Sequence, residues 1–149
     1  MNNKHPFFIE EATWLGEGKI AFSASPDIIR FFTKWQIPAP QIKVEGHPCL
    51  QVVEMLGDRE QIENNLRFYD LKSHEFKVDL DNQLIGTVQG TGFFDELKIA
   101  WEFRGHPNFE GFEIYELQEN GDYIFHAEYV SPDQFRSIID GRIWKKAST

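Results

Sequence analysis

The sequence predicts an all-β, mainly antiparallel fold: an up-and-down meander closed into a β-barrel, with one or two short helices. The first observation is alternation of apolar and polar residues, as in 76–80, where Phe76, Val78 and Leu80 share one face. The second is that turn formers separate such runs. Asn120-Gly121 is the strongest of these turn signals, because both residues tolerate positive φ. A meander this long closes on itself to remove its edges.

The predicted strands follow from these runs and their turns. The first strand is expected over 7–24, where Gly16 and Gly18 mark a bend, a bulge or a close approach of another segment. Pro38 and Pro40 break the chain after residue 37, because proline cannot donate to a sheet ladder. The later strands are expected over 48–57, 62–71, 75–80, 84–94, 97–104, 109–118 and 122–130.

Two segments fit either a helix or a strand. In 26–36 the spacing of the apolar residues favours a helix, and Ser25 followed by Pro26 resembles a helix start, although the β-branched and aromatic content fits a strand. In 131–146 a Ser-x-x-Gln capping box and Gly141 favour a short helix over 132–139 followed by a strand over 141–146. A type I turn at 131–134 is the other interpretation of the same residues.

Length, charge and cysteine content restrict the class of protein. A chain of 149 residues suits a single domain over 1–149. The net charge of −9 opposes a phosphate backbone, so we expect no nucleic-acid partner. Cys49 is the single cysteine, which excludes a disulfide framework. No apolar run reaches the roughly 18 residues of a membrane span, and the N-terminus lacks a signal-peptide core, so we expect a cytoplasmic protein.

The terminal strands carry two short motifs. A Trp-x-Gly-x-Gly run begins at Trp14, and a Gly-Arg-x-Trp run contains Arg142 and Trp144. Together they resemble the calycin superfamily, which includes lipocalins, fatty-acid-binding proteins and nitrobindin-like barrels. The resemblance implies a lipocalin-like barrel in which Trp14 packs at the closed end beside Arg142. The Gly-x-Trp of typical lipocalins is absent here, since Ala12 and Thr13 precede Trp14.

No catalytic motif is present in the chain. The sequence contains no phosphate-binding glycine loop, no Gly-x-Ser-x-Gly and no His-Glu-x-x-His, and its five histidines do not pair at metal-ligand spacing. We therefore predict no metal site and no catalytic residues, and the cofactor stays unknown.

Three polar residues are the candidates for binding a ligand. His126 and Glu128 share one face of strand 122–130, and Arg104 shares a face with Glu102. If those faces point inward, a ligand with a polar end gives them partners, and Arg104 suits a carboxylate, as the fatty-acid-binding resemblance implies. If they point outward, they form a solvated charged face.

The leading hypothesis is a barrel that binds a small hydrophobic or amphipathic molecule in its interior. One alternative is a non-catalytic interaction module with a solid core. The other is a helix-grip lipid-binding fold, which residues 19–35 resemble as a strand leading into a helix.

Overall fold

The described residues form a closed barrel of ten antiparallel strands. The computed structural model describes residues 5–39, 45–57, 60–107, 109–130 and 135–147. Each strand pairs with the next in sequence, and β1 pairs with β10 to close the barrel. The strands are β1 Ala12–Phe22, β2 Ser25–Ile37, β3 His47–Met55, β4 Gln61–Tyr69, β5 Glu75–Asn82, β6 Gly86–Phe94, β7 Lys98–His106, β8 Phe109–Leu117, β9 Tyr123–Val130 and β10 Arg136–Lys145.

The predicted meander is confirmed. All consecutive strands from β4 to β9 pair antiparallel, in the order that the turn signals indicate. The turns use the expected chemistry: the Asp95 side chain accepts backbone N–H bonds from Leu97 and Lys98, and Gly121 has a φ of 93°. The predicted turn at 131–134 lies outside the described residues.

The predicted helices are wrong for every residue that the structure describes. Residues 26–36 belong to strand β2, where Phe31, Thr33 and Trp35 are buried and Phe32 is 49% exposed. The true period is therefore two, and the helical spacing arose because Phe32 is apolar but faces outward. From Arg136 onward the chain is strand β10, which includes most of the predicted strand 141–146. Without a helix in the described ranges, the helix-grip alternative is also wrong.

The segment before β1 closes one end of the barrel. The sequence places a strand from residue 7, but β1 begins at Ala12, and Phe7 and Phe8 are fully buried. The Phe7 ring lies 5.0 Å from Trp35 and 5.5 Å from Trp14, and Phe8 stacks on Phe68 at 4.1 Å, as measured between ring centroids. This end of the barrel is therefore a solid aromatic core.

Trp14 and Arg142 do not form the expected pair. Trp14 is buried, as predicted, with 1% of its surface exposed. Arg142 lies on the outer face, where its guanidinium is 4.8 Å from the Trp144 ring and 3.4 Å from the Glu17 carboxylate. The reason is register: Arg142 lies opposite Glu17, whose side chain points away from the interior.

No described segment forms a helix with the length and hydrophobicity needed to cross a bilayer.

Candidate ligand cavity inside the barrel

The other half of the barrel contains a cavity of about 250 Å³. Leu84, in the β5–β6 turn, lines this cavity and is 79% exposed, so the cavity approaches the surface at the end opposite the aromatic core. Most of its wall is apolar, with Phe31, Phe109 and Phe125 supplying aromatic surface. The polar residues in the wall are Gln51, Asn64, Asn82, Glu113 and Tyr129.

The side chain of Glu113, on β8, points its carboxyl group into the barrel. The Tyr115 hydroxyl donates to one of its oxygens at 2.7 Å, and the Tyr129 hydroxyl donates to the other. Trp101 lies directly across from Glu113 on β7, and its buried indole N–H has no hydrogen-bond partner among the described residues. Glu113 is part of the cavity wall, so a molecule bound in the cavity can contact it.

Burial raises the pKa of Glu113 above its ordinary value, because the charged form loses its hydration. The hydrogen bonds from Tyr129 and Tyr115 act in the opposite direction but do not cancel this effect. Burial also raises the pKa of both tyrosines well above the usual range, and the neighbouring carboxylate adds to that rise. The two hydroxyls therefore remain protonated donors at any physiological pH.

A glycine allows Tyr129 to reach Glu113. Gly111 lies directly opposite Tyr129 in the β8–β9 pair, and a Cβ at Gly111 would collide with the Tyr129 ring and with the Glu128 carbonyl oxygen. The tyrosine ring therefore crosses β8 above this glycine, and its hydroxyl meets the carboxyl group two residues further along the same strand.

Three side-chain amides form a hydrogen-bonded row across β3, β4 and β5, which we call the amide ladder: Gln51, Asn64 and Asn82. Asn82 donates to Asn64 at 2.9 Å, Asn64 donates to Gln51 at 3.0 Å, and Gln51 donates to the Thr33 hydroxyl at 3.3 Å. At the other end, the Asn82 oxygen accepts the backbone N–H groups of the β5–β6 turn. The row is anchored at both ends, and all three amides line the cavity.

The residues predicted to bind a ligand lie on the outer face. Arg104 pairs with Glu102 at 3.1 Å, and its side chain is 79% exposed. His126 and Glu128 alternate with the buried Phe125 and Ala127, so they point away from the interior. The expectation that the three line an internal cavity is therefore wrong. That these three residues bind a ligand stays a prediction.

The structure brings His126 and Glu128 together in an ion-pair network. His126 Nδ1 lies 2.6 Å from Asp140, and Nε2 lies 2.8 Å from Glu128, which also accepts a 2.7 Å bond from Arg136. Hydrogen bonds to the two carboxylates raise the pKa of His126, and the same contact lowers the pKa of Glu128. Arg104 is not part of this network, and no group of described residues could hold a metal ion.

The comparisons with known proteins identify the fold. No family model matches the chain, and no curated protein sequence is similar to it. Among solved structures, the chain is similar to the S-type phycobiliprotein lyase CPES from Guillardia theta. The TM-score is 0.73, with 96% of this chain and 92% of that chain covered, at 8% sequence identity. A likeness at this identity supports the barrel architecture and assigns no activity.

Proposed function

We propose that this protein binds a small, largely apolar molecule in the cavity of its barrel, and that Glu113 selects against anionic ligands. The observation that supports the proposal is a carboxyl group held by two tyrosine hydroxyls in the wall of an otherwise mostly apolar cavity. A solid-core module, the alternative from the sequence, has no use for such a group, because burying a polar group costs free energy that apolar packing avoids.

The size of the cavity limits the ligand. A protein cavity of about 150 Å³ accommodates benzene, and the volume here is about 250 Å³. The expected ligand therefore has one ring with substituents, or a similar number of atoms in a chain. This volume lies just below the usual range of about 300–1,000 Å³ for ligand pockets.

The charge of the cavity limits the ligand further. Among the described residues of its wall, Glu113 is the single acid and none is basic. A bound carboxylate would lose its hydration and gain no cationic partner, which is costly inside a protein. The carboxylate ligand that the sequence suggested for Arg104 is therefore not the one we propose for the interior.

The proposal is tested by thermal unfolding with benzyl alcohol, benzylamine and benzoate, which share a ring and differ in charge. A ligand at 100 times its Kd stabilises the folded state by about 2.7 kcal/mol. For a domain of this size the melting temperature then rises by about 5–10 °C. We expect benzyl alcohol and benzylamine to bind at least tenfold more tightly than benzoate.

The matched variants are Glu113→Gln and Glu116→Gln on the same strand. Glu116 is exposed, so its substitution should leave the three affinities unchanged. Glu113→Gln removes the acid from the cavity and should narrow the difference between benzylamine and benzoate. Stabilisation by none of the three ligands, or tightest binding of benzoate, would contradict the proposal.

A further inference from the structure

The polar groups of the cavity lie on opposite walls. Around the barrel, β3 and β8 are five strands apart in either direction, so Gln51 and Glu113 lie diametrically across from each other. Both line the same cavity, together with aromatic side chains between them. A single molecule that spans the cavity can therefore contact both walls at once.

The amide ladder has a fixed direction. The Asn82 oxygen accepts two backbone N–H groups, at 3.0 Å from Leu84 and 3.0 Å from Ile85, so the Asn82 nitrogen must face Asn64. This orientation sets that of Asn64, which in turn sets that of Gln51. The assignment of nitrogen and oxygen in each amide therefore follows from the backbone of one turn.

With this direction, the amide ladder has hydrogen-bond donors that the row itself does not use. Each amide nitrogen carries two N–H groups, and each uses one of them along the row. Among the described residues, the second N–H of Gln51, Asn64 and Asn82 has no hydrogen-bond acceptor, and all three residues line the cavity. An unpaired N–H is less well tolerated than a carbonyl oxygen with one free lone pair. The ladder wall therefore favours a hydrogen-bond acceptor on the ligand.

The opposite wall has the reverse preference. Tyr115 and Tyr129 each donate to one oxygen of Glu113, so the carboxyl group acts as an acceptor. A carboxyl group has lone pairs beyond the two that the tyrosines use, whether it is ionised or protonated. A hydroxyl or amine of the ligand can donate to these remaining lone pairs.

We propose that the ligand is a bifunctional molecule, with a hydrogen-bond acceptor such as a carbonyl oxygen at one end and a donor such as a hydroxyl at the other, joined by an apolar ring or chain. The acceptor end contacts the amide ladder on β3–β5, and the donor end contacts Glu113 on β8. This inference rests on the proposed binding function and specifies its ligand class.

Four ligands of one shape test the proposal: 4-hydroxyacetophenone has both groups, acetophenone has the acceptor, 4-ethylphenol has the donor, and ethylbenzene has neither. Dissociation constants are measured by ligand-observed NMR with the purified full chain. We expect 4-hydroxyacetophenone to bind at least tenfold more tightly than acetophenone or 4-ethylphenol, and ethylbenzene to bind most weakly.

The variants Asn64→Leu and Asn65→Leu test which wall of the cavity hydrogen-bonds to the acceptor group of the ligand. Asn65 is the next residue on β4 and is exposed, so Asn65→Leu should bind all four ligands like the wild type. Asn64→Leu should reduce the affinity for 4-hydroxyacetophenone to that for 4-ethylphenol, and leave 4-ethylphenol itself unchanged. The ligand series on the wild type tests the proposal even if Asn64→Leu fails to fold.

Two outcomes separate this inference from the binding function. If ethylbenzene binds as tightly as 4-hydroxyacetophenone, the polar groups of the ligand contribute nothing to affinity. The proposal of a bifunctional ligand is then wrong. If none of the four ligands binds, the binding function itself is also wrong for molecules of this size.

Discussion

Replacing Phe7 by alanine should remove the centre of the aromatic core that closes the barrel. The Phe7 side chain is 0% exposed, and its ring contacts Trp14, Trp35, Tyr115 and Tyr123 at centroid distances of 5.0–5.6 Å. Deleting a buried phenylalanine ring costs about 3–5 kcal/mol, and each aromatic pair contributes about 0.5–1.5 kcal/mol beyond its buried area. We expect the upper half of the first range.

The assay is equilibrium unfolding in urea, followed by tryptophan fluorescence, with a thermal scan beside it. A loss of 3–5 kcal/mol corresponds to a fall in melting temperature of about 6–20 °C. Phe93→Ala is the control, because Phe93 is 55% exposed and its removal should cost less than about 0.5 kcal/mol. If Phe7→Ala costs less than about 1 kcal/mol, the N-terminal segment is not part of the folded core.

Four substitutions test contacts at the closed end of the barrel, in its cavity and on its outer face. Trp14→Ala should cost about 3–5 kcal/mol in unfolding free energy, whereas Arg142→Ala should cost less than about 1 kcal/mol in the same denaturation assay, because its ion pair is at the surface. Relative to Glu113→Gln, the wild type should lose stability as the pH rises from about 4.3, since its carboxyl group has a raised pKa in the folded state and binds more protons there. Relative to His126→Gln, the wild type should be most stabilised below about pH 6.5. The difference in unfolding free energy should disappear as the pH rises through the pKa of His126, which Asp140 and Glu128 raise. If this difference is independent of pH in unfolding titrations, the ion-pair network makes no contribution to stability.

The barrel could be predicted from the sequence because its signals are local. Apolar and polar residues alternate with a period of two, and turn residues such as Asn120-Gly121 separate the alternating runs. Both signals extend over only a few residues, so they indicate the order and direction of most strands without knowledge of the rest of the chain. The helix predicted over 26–36 is wrong because two outward positions of β2 carry the apolar residues Ile28 and Phe32, which obscure the period of two.

The candidate site could not be predicted in the same way. Glu113 lies within an alternating run, and the side of the sheet that it faces depends on which set of alternate residues is buried, a property of the closed barrel. The sequence signal for the inward position of Glu113 is its two tyrosine partners, since Tyr115 and Tyr129 lie on the inward faces of their strands. His126 and Glu128 are polar residues on one face of a strand, but the opposite face of β9 is the one that packs into the barrel. Cytoplasmic residence and the calycin relationship stay predictions.

The most direct test of the account is whether filling the cavity abolishes binding. Val53 lines the cavity on β3, and Val52 is the adjacent residue on the other face of the same strand. Val53→Phe should reduce the affinity for 4-hydroxyacetophenone at least tenfold by isothermal titration calorimetry, with a circular dichroism spectrum like that of the wild type. Val52→Phe should bind like the wild type. Equal binding by Val53→Phe and the wild type would contradict an interior site, because the ligand would then have to bind elsewhere on the protein.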